Sequence, residues 1–393
     1  MVANYRIDSA GVGLLNAEDP TAEGPVSSTI PLVDLAAQQR EIEADVQADL
    51  RVVFDRTCFI GGPDVGSFED EYAQFVGVDH CVGVGNGTDA VEFALRALGL
   101  GPGSEVIIPA NTFIATAEAV RRAGADPVFV DVDPETLLMD PARVEEAITS
   151  KTRAVVPVHI FGRLAPIEQI AKAAPGIPLV EDAAQSQGAR TVEGRVSGSL
   201  GLIAATSFYP GKNLGAAGDA GAVTTGDPDL ARRVRLLGGH GSERRYVHEM
   251  VGFNSRLDTV QAVVLRHKLR RLAYWNDARR RAAERYNRLL CDTAWVSRPI
   301  LPKDESHVWH LYVIRVPDRD RILSDLNASG IGAAIHYPYP IHLTEAFAHP
   351  GYGVGAFPVA EQAASEILSL PMYPHITEEQ QERVVDTLLK AFR

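Results

Sequence analysis

The sequence is poor in cysteine and in net positive charge. Only three cysteines occur in 393 residues, at Cys58, Cys81 and Cys291, and no CxxC pair exists. This count and spacing argue against a disulfide framework or a zinc site and are typical of a reducing compartment. The net charge of −13 argues against a broad basic surface for nucleic acid. We therefore predict a chain without structural metal and without a nucleic-acid partner.

Long hydrophobic runs are also missing. No apolar run approaches the ~18 residues needed to cross a bilayer. Residues 1–29 lack the apolar core of a signal peptide, and their scattered glycines and prolines show little periodicity. We predict a flexible leader over 1–29, a cytoplasmic location and no membrane partner.

What the chain does contain is a regular alternation of short apolar runs and helical segments. Apolar runs at 106–108, 128–130, 154–158 and 179–180 start roughly 22–26 residues apart. The predicted helices between them cover 115–122, 141–149 and 166–173. This βαβ rhythm predicts a parallel sheet packed between helices, with further strands at 204–209 and 222–225. In such sheets the ligand lies at the carboxyl ends of the strands.

The pattern changes near residue 295. It predicts a strand at 312–316, a helix at 319–329, a strand ending at Pro338 and a helix at 360–369. The last helix should begin at Thr377, which has Gln380 in capping-box spacing. We predict a large ligand-binding domain over 30–272 and a smaller C-terminal α+β domain over 273–393.

One lysine lies in a glycine-rich turn that follows a predicted strand. Lys212 belongs to the segment SFYPGKNLG, residues 207–215. A lysine in this setting can hold a carbonyl group. If Lys212 holds pyridoxal phosphate as a Schiff base, the chain must also supply a carboxylate for the pyridine nitrogen. It must further supply N–H groups and hydroxyls for the phosphate, and packing for the two faces of the ring.

The chain offers candidates for the carboxylate and for the phosphate site, one at a predicted strand end and one at a predicted helix start. Asp182 ends a strand and could pair with the pyridine nitrogen, although an N-cap role in a following helix is an equal alternative. Gly87, Thr88 and Asp89 open a helix, where free N–H groups and the helix dipole attract phosphate. Here too a plain N-cap, at Thr88 or Asp89, is the alternative.

Three further side chains complete the predicted cofactor site. Phe113 follows a strand and could stack on the ring, although a phenylalanine considered alone is more often core. Gln185 could cover the opposite face or meet the 3′-oxygen of the ring. Ser207 could add a hydroxyl to the phosphate site. Taken singly these residues carry little weight, but together, at strand ends, they predict a pyridoxal phosphate site.

Four segments carry a family resemblance: GNGTDA, EDAAQSQGA, SFYPGKNLG and GFNSRLDTVQA. They resemble the signature blocks of the DegT/DnrJ/EryC1/StrS family of sugar aminotransferases, from about residue 30 to the C-terminus. The resemblance implies an α/β protein of PLP fold type I, similar to aspartate aminotransferase. Such a fold has a large α/β/α domain with a mainly parallel sheet and a small C-terminal α+β domain.

The resemblance also implies residue roles. Lys212 would be the Schiff-base lysine, and since relatives with dehydratase chemistry have histidine there, the lysine favours transamination. Asp182 would pair with the pyridinium nitrogen, and Thr88 and Ser207 would hold the phosphate. Asn254 would reach the same phosphate from the partner subunit, so that a homodimer would share its active sites.

For the substrate, the resemblance points to several parts of the chain. The implied substrate-binding residues are His159, Tyr209, Arg244, Arg245, Tyr246, His336, Tyr337 and His342. Of these, His159 also follows a predicted strand. The two arginines suit a diphosphate because a guanidinium matches phosphate geometry. The alternative for the arginines is an exposed loop, and the alternative for His336 and His342 is a structural role.

The implied activity is a transfer of the amino group of L-glutamate to a dTDP-linked keto-6-deoxy sugar, in antibiotic or surface amino-sugar biosynthesis. Lys212 would act as general base, and pyridoxamine phosphate would carry the amino group between the two half-reactions. The 3-keto carbon is favoured and the 4-keto carbon stays open. One rival is a pyridoxal-phosphate enzyme for amino acids, disfavoured because 333–338 contains no arginine for a carboxylate. Another is a non-catalytic regulator, disfavoured by the presence of Lys212 and Asp182.

Overall fold

The computed structural model describes residues 29–349 and 351–392, so the predicted leader lies, except for Thr29, outside the described residues. The α-helices are α1 (Leu35–Arg56), α2 (Pro63–Val76), α3 (Gly87–Ala97), α4 (Ile114–Arg122), α5 (Pro141–Ala147), α6 (Ile167–Ala173), α7 (Pro228–Gly238), α8 (Thr259–Leu289), α9 (Arg319–Ala328), α10 (Pro358–Glu366) and α11 (Glu378–Ala391). Within these residues, no helix combines the length and apolar character that crossing a membrane requires.

The strands form a large sheet and a small one. They are β1 (His80–Val84), β2 (Glu105–Pro109), β3 (Asp126–Val130), β4 (Thr152–Val155), β5 (Val180–Asp182), β6 (Ile203–Ser207), β7 (Gly221–Thr225), β8 (Tyr312–Arg315) and β9 (Ile367–Leu370). Strands β3-β2-β4 are parallel, and β1-β7-β6-β5 form a second group in which β7 runs antiparallel to both its neighbours. Parallel bridges from Val155 to Leu179 and from Val158 to Asp182 join the groups into the order β3-β2-β4-β5-β6-β7-β1.

The large sheet is buried because helices cover it. Val106, Ile107 and Ile108 of β2 have no exposed surface, as expected for a parallel strand covered on both faces. Helix α3 packs on β6 and β7, and α4 packs on α3. Because β2, β4, β5 and β6 run parallel, the carboxyl ends of β2, β5 and β6 lie at the same edge of the sheet. The prediction of an α/β protein with a mainly parallel sheet is confirmed.

The C-terminal region has its own core, and two predictions there are wrong. The predicted helix 360–369 ends at Glu366, and the following residues form β9, which pairs antiparallel with β8. The predicted strand ending at Pro338 contains only a bridge from Ala334 to Ser369. Short apolar runs such as ILSL fit either a buried helix or a strand, so pairing with β8 decides the outcome. The predicted capping box at Thr377 and Gln380 is present.

Helix α8 runs without a break through the predicted domain boundary at 272. Its C-terminal half packs with β8, β9, α9 and α11, and Ile30 joins the same core. The Ile30 N–H donates to Gly330 O at 2.8 Å, and the Gly332 N–H donates to Ile30 O at 2.7 Å. The start of the described chain is thus attached to the small core, and the division at 272 stays a prediction.

Candidate active site

A cavity of ≈ 490 Å³ opens where the carboxyl ends of β5 and β6 meet the start of α3. The predicted site residues that line it are Gly87, Thr88, Phe113, Asp182, Gln185, Ser207, Tyr209, Lys212, His336 and Tyr337. Residues that the sequence prediction missed also line it, among them Asn86, Thr112, Thr116, Asp219 and His310. The site draws on both predicted domains, because His310 and 336–337 come from the C-terminal region.

Lys212 is held by the turn that follows β6. The backbone N–H of Lys212 donates to Tyr209 O at 2.8 Å, and the Ala216 N–H donates to Phe208 O at 2.7 Å. A Cβ at Gly215 would lie 2.2 Å from Pro210 O, so only glycine allows this turn to close. Among the described residues, the Lys212 ammonium has no hydrogen-bond or ion-pair partner. Burial lowers the pKa of Lys212 to about 8, although the charge of Asp182 acts in the opposite direction.

Asp182 ends β5 and is buried below the cavity. Thr116 Oγ1 donates to Asp182 Oδ2 at 2.8 Å, and the Ala184 N–H donates to Asp182 Oδ1 at 3.2 Å. Thr112 lies 2.9 Å from Thr116, hydroxyl to hydroxyl. No helix begins at Asp182, so the N-cap alternative is wrong. A carboxylate held in this way can face a cationic ring nitrogen.

The start of α3 forms an anion site. The N-cap is Asn86, whose Oδ1 accepts the Asp89 N–H at 2.8 Å, and not Thr88 or Asp89 as the alternative had it. Among the described residues, the N–H groups of Gly87 and Thr88 have no partner. A Cβ at Gly87 would lie 2.5 Å from Ser207 Cβ, so Ser207 packs directly on this turn. Free N–H groups, the helix dipole and nearby hydroxyls together suit a phosphate.

Asp89 does not line the cavity, and its predicted contact with the phosphate is corrected. Its Oδ1 accepts from Arg122 Nη2 at 2.8 Å, and its Oδ2 accepts from Ser255 Oγ at 2.7 Å. Ser255 Oγ in turn accepts the Gly85 N–H at 3.0 Å. Asp89 therefore fixes the segment next to Asn254 and leaves the phosphate to the N–H groups of α3.

Flat side chains border the upper part of the cavity. The Phe113 ring is 48% exposed, so the core alternative for it is wrong. It lies 5.0 Å from the ring of Tyr337, centroid to centroid. Gln185 Nε2 donates to the Tyr337 hydroxyl at 3.2 Å, and Gln185 Oε1 accepts the Phe161 N–H at 2.6 Å. Burial raises the pKa of Tyr337, and the charge of Asp182 adds to this effect.

The predicted histidines divide into one at the cavity and two outside it. His336 lines the cavity, with Nδ1 2.8 Å from Ser369 Oγ. Burial and the charge of Lys212 lower the pKa of His336 to about 4, so its imidazole is neutral at pH 7.

His159 and His342 are structural, and their predicted contact with substrate is corrected. His159 is fully buried: its Nδ1 accepts the Ala165 N–H at 2.9 Å and its Nε2 lies 2.9 Å from Glu181 Oε2. His342 is buried with Nε2 3.0 Å from Glu361 Oε1. His159 was a candidate because it follows a strand, but both ring nitrogens of His159 already have partners within the fold.

The predicted residues of 244–254 lie on the surface and outside the cavity of their own chain. Tyr246 is 78% exposed, with the Arg245 guanidinium 5.0 Å from its ring centroid. Asn254 is exposed, and its Oδ1 accepts from Arg256 Nη2 at 2.7 Å. The fold of one chain thus does not bring Arg244, Arg245, Tyr246 or Asn254 to the site, and their roles stay predictions.

The residues present fit pyridoxal phosphate. The free N–H groups at Gly87 and Thr88 can take the phosphate, and Asp182 can take the ring nitrogen. Phe113 offers a flat face, and Lys212 offers an unpaired amine at the same cavity. The fold therefore gathers, around one cavity, each of the groups that the cofactor requires.

Comparison with known proteins places this site in a family. The family model described as the DegT/DnrJ/EryC1/StrS aminotransferase family matches residues 40–389. The chain is 46% identical to the erythromycin biosynthesis sensory transduction protein EryC1 of Saccharopolyspora erythraea, over 91% of this chain and 98% of that one. It is 44% identical to the dTDP-3-amino-3,4,6-trideoxy-alpha-D-glucose transaminase of Streptomyces venezuelae, over 91% of this chain and 95% of that one.

Solved structures agree with this placement. The crystal structure of DesV from S. venezuelae in complex with a ketimine intermediate matches with a TM-score of 0.90 and 44% identity, over 93% of this chain and 99% of that one. The structure of NtdA from Bacillus subtilis, described with bound cofactor PMP, matches with a TM-score of 0.86 and 32% identity, over 94% of this chain and 86% of that one.

The names of further relatives show a range of substrates and roles. Transaminases or aminotransferases named for 3-amino, 3-oxo or 3-dehydro sugars on dTDP or UDP are among them, as is a GDP-perosamine synthase. Two relatives have regulatory names: EryC1 and a pleiotropic regulatory protein of Geobacillus stearothermophilus. The sequence-based predictions of family, fold type and cofactor are confirmed. The chain belongs to the DegT/DnrJ/EryC1/StrS aminotransferase family and is a pyridoxal-phosphate-dependent transaminase.

Proposed function

We propose that the chain transfers an amino group from L-glutamate to a nucleotide-linked keto sugar, with a dTDP-linked 3-keto-6-deoxy sugar as the favoured acceptor. The observation that carries this proposal is the charge of the cavity wall. Lys212 and Asp182 supply a transaminase centre, but no arginine is among the described residues that line the cavity. As the acceptor, a sugar ring without a carboxylate suits this wall better than a keto acid does. The donor L-glutamate must bind there without an arginine among these lining residues.

The chemistry follows from where the side chains stand. When bound, pyridoxal phosphate supplies an electron sink that stabilises a carbanion at the donor α-carbon. Asp182 would hold the proton on the ring nitrogen that this sink needs. Lys212 Nζ would move the proton from the donor α-carbon to the aldehyde-derived carbon of the bound cofactor. In the second half-reaction it would move a proton from that carbon to the sugar carbon that receives the amino group. Its lowered pKa of about 8 leaves part of the amine neutral near physiological pH.

The choice of sugar carbon rests on the relatives. Several of those with at least 40% identity are named for 3-amino, 3-oxo or 3-dehydro sugars, whereas the GDP-perosamine synthase is 36% identical. Three of these relatives are named for dTDP sugars and two for UDP sugars. These names support the 3-keto carbon, make dTDP the favoured carrier, and keep the 4-keto carbon as the alternative. Biosynthesis of a deoxyamino sugar, in an antibiotic or on a cell surface, is the corresponding role.

A homodimer with shared sites would explain the exposed residues of 244–254. Tyr246, Val247 and Val251 are 78%, 56% and 89% exposed. Exposed apolar side chains that lie close together in the chain are candidates for an interaction surface. In the dimer that we propose, the partner subunit's Asn254 meets the phosphate, and the partner subunit's Arg244 or the partner subunit's Arg245 meets the diphosphate of the substrate.

The regulatory names of two relatives define the rival function. A regulator that only binds the cofactor has no need of a proton-transferring amine beside a ring-nitrogen carboxylate. Lys212 and Asp182 are both present and both line the cavity. We therefore favour catalysis.

The direct test is incubation of the purified protein with L-glutamate and a panel of keto sugars. The panel contains dTDP-3-keto and dTDP-4-keto 6-deoxy sugars and a UDP-linked 3-keto sugar, and NMR of the product identifies the aminated carbon. We expect amination at C-3 of the dTDP-linked sugar. Amination at C-4, or of the UDP sugar alone, would replace the favoured acceptor, and turnover of none with any amino donor would contradict the catalytic proposal.

The shared site is tested by mixing subunits. Asn254→Ala and Lys212→Ala proteins are each expected to be inactive or weak. Random mixing makes about half of the molecules mixed dimers with one intact site each, so we expect about a quarter of the wild-type activity. Recovery of no activity in a mixture shown to contain mixed dimers would contradict the shared site.

A further inference from the structure

A buried hydrogen-bond network starts at the residue after the lysine. Asn213 is 1% exposed and its Nδ2 donates to Val308 O at 2.9 Å and to Asn276 Oδ1 at 2.9 Å. Because Val308 O is a backbone carbonyl, it can only accept, which fixes the orientation of the Asn213 amide. Both N–H groups of Asn213 are then used, and only its Oδ1 remains.

The second amide in the network is fixed in the same way. Asn276 Nδ2 donates to the carbonyl oxygen of Gln187 at 2.9 Å, so Asn276 Oδ1 is an acceptor. The remaining contact of Asn213 Oδ1 is with His310 Nδ1, at 3.2 Å. An oxygen faces that nitrogen, and therefore His310 Nδ1 must carry the hydrogen.

The charges around His310 favour its neutral form. Burial holds the pKa of His310 well below its usual range, and the positive charges of Lys212 and Arg279 act in the same direction. Arg279 is 2% exposed, with Nε and Nη1 unpartnered within the described part of the chain. A neutral imidazole with its hydrogen on Nδ1 has a bare Nε2, which can only accept.

His310 and Lys212 line the same cavity. In the structure the Lys212 ammonium has no partner among the described residues. We infer that His310 is a positioning residue, whose bare Nε2 takes a hydrogen bond from Lys212 Nζ when the lysine turns toward it with the substrate proton. This inference rests on the role proposed above for Lys212. In the first half-reaction Lys212 would move the proton from the donor α-carbon to the aldehyde-derived carbon of the bound cofactor, and His310 would not take it. The hydrogen bond keeps the lysine in reach and stabilises its charged form.

Two substitutions at His310 distinguish the role of its Nδ1 from the role of its Nε2. The amide of His310→Asn can still donate to Asn213 Oδ1 but offers nothing at the position of Nε2. The longer His310→Gln places an amide oxygen near that position. The first half-reaction is measured in single turnovers with L-glutamate, without any sugar, between pH 6 and pH 10. His307→Gln is the control, since His307 is another buried histidine, stacked on Trp309, that lies outside this cavity.

For His310→Asn we expect the first half-reaction to slow by about 10- to 100-fold, as expected for a misplaced proton-transfer group. Its pH midpoint should move lower, because the charged lysine has lost an acceptor. His310→Gln should recover much of the rate, and His307→Gln should keep it. Unchanged rate and midpoint in His310→Asn would overturn the inference, as would a defect confined to the sugar half-reaction.

A second measurement does not depend on activity or on folding of a variant. In the cofactor-free wild-type protein, ¹⁵N NMR of labelled histidine should show His310 with a protonated Nδ1 and a bare Nε2 from pH 6 to pH 8. A hydrogen on Nε2, or a charged ring, would overturn the inference. If the wild type does not react with L-glutamate, the donor assignment fails by itself, and the half-reaction is repeated with the donor that the protein accepts.

Discussion

The cavity floor and the segment 241–251 differ in how one chain supports them. On the floor, Asp182 is buried and hydrogen-bonded to Thr116, and Lys212 stands on a turn closed by backbone hydrogen bonds. The segment is the opposite case: Tyr246 is 78% exposed and Val251 is 89% exposed, although both have largely apolar side chains.

The difference between the floor and the segment indicates which part of the active site a single chain can form. The floor contains the groups that act on the reacting atoms, and their partners all come from the same chain. The segment carries arginines and exposed apolar side chains, and it lies outside the cavity that holds Lys212. We therefore expect changes on the floor to abolish chemistry and changes in the segment to weaken binding.

The largest effect should come from Lys212→Ala. We expect activity to fall by about 10⁴-fold, because general acid–base catalysis contributes up to that factor. The absorbance of lysine-bound pyridoxal phosphate should vanish as well. The matched control is Lys268→Met: burial also lowers the pKa of Lys268 to about 8, but this lysine lies outside the cavity. An unchanged spectrum in Lys212→Ala would contradict the assignment of the lysine.

The next effect should come from Asp182→Asn. The amide keeps the shape and can still accept from Thr116, but it carries no charge to hold the ring nitrogen protonated. We expect kcat to fall by about 10²–10³-fold, as for loss of one preorganised electrostatic group. Asp140→Asn is the control, because Asp140 caps α5 and asparagine caps equally well. Equal activity of the two variants would count against Asp182.

The pH dependence of Lys212 can be measured in the cofactor-free protein. As the pH rises through about 8, Lys212 loses its proton, and its reaction with an amine reagent should reach half its maximal rate there. At that pH an ordinary lysine, with a pKa of ~10.4, is less than about 1% neutral. Peptide mapping by mass spectrometry gives the rate at each lysine. A midpoint near the ordinary value would show that burial does not act on Lys212 as described.

The smallest effects should come from the segment. We expect Arg244→Ala or Arg245→Ala to raise KM for the sugar nucleotide by about 10-fold, the loss of roughly one charge-assisted hydrogen bond. The value of kcat should change little, because the diphosphate lies away from the reacting carbon. Arg143→Ala, an exposed arginine paired with Glu146, is the control. A loss of kcat with unchanged KM would place these arginines at the floor instead.

Local sequence was sufficient for much of the floor. The turn at Lys212, the strand end at Asp182 and the helix start at Gly87 follow from glycines, apolar runs and spacing. Asp89 was misassigned because the sequence shows a helix start but not that the distant Arg122 and Ser255 bind its carboxylate outside the cavity. His159 was misassigned because a strand-end position does not reveal that Glu181 and Ala165 already bond its ring.

By itself, the sequence determined the βαβ order, the family and the lysine at the centre of the site, because these depend on residues close together in the chain. Only the tertiary structure decided that β9 replaces the end of a predicted helix, since its pairing with β8 joins residues far apart in sequence. It also decided that His310 stands at the cavity with Lys212. Contacts between distant segments arise from packing, and no local pattern records them.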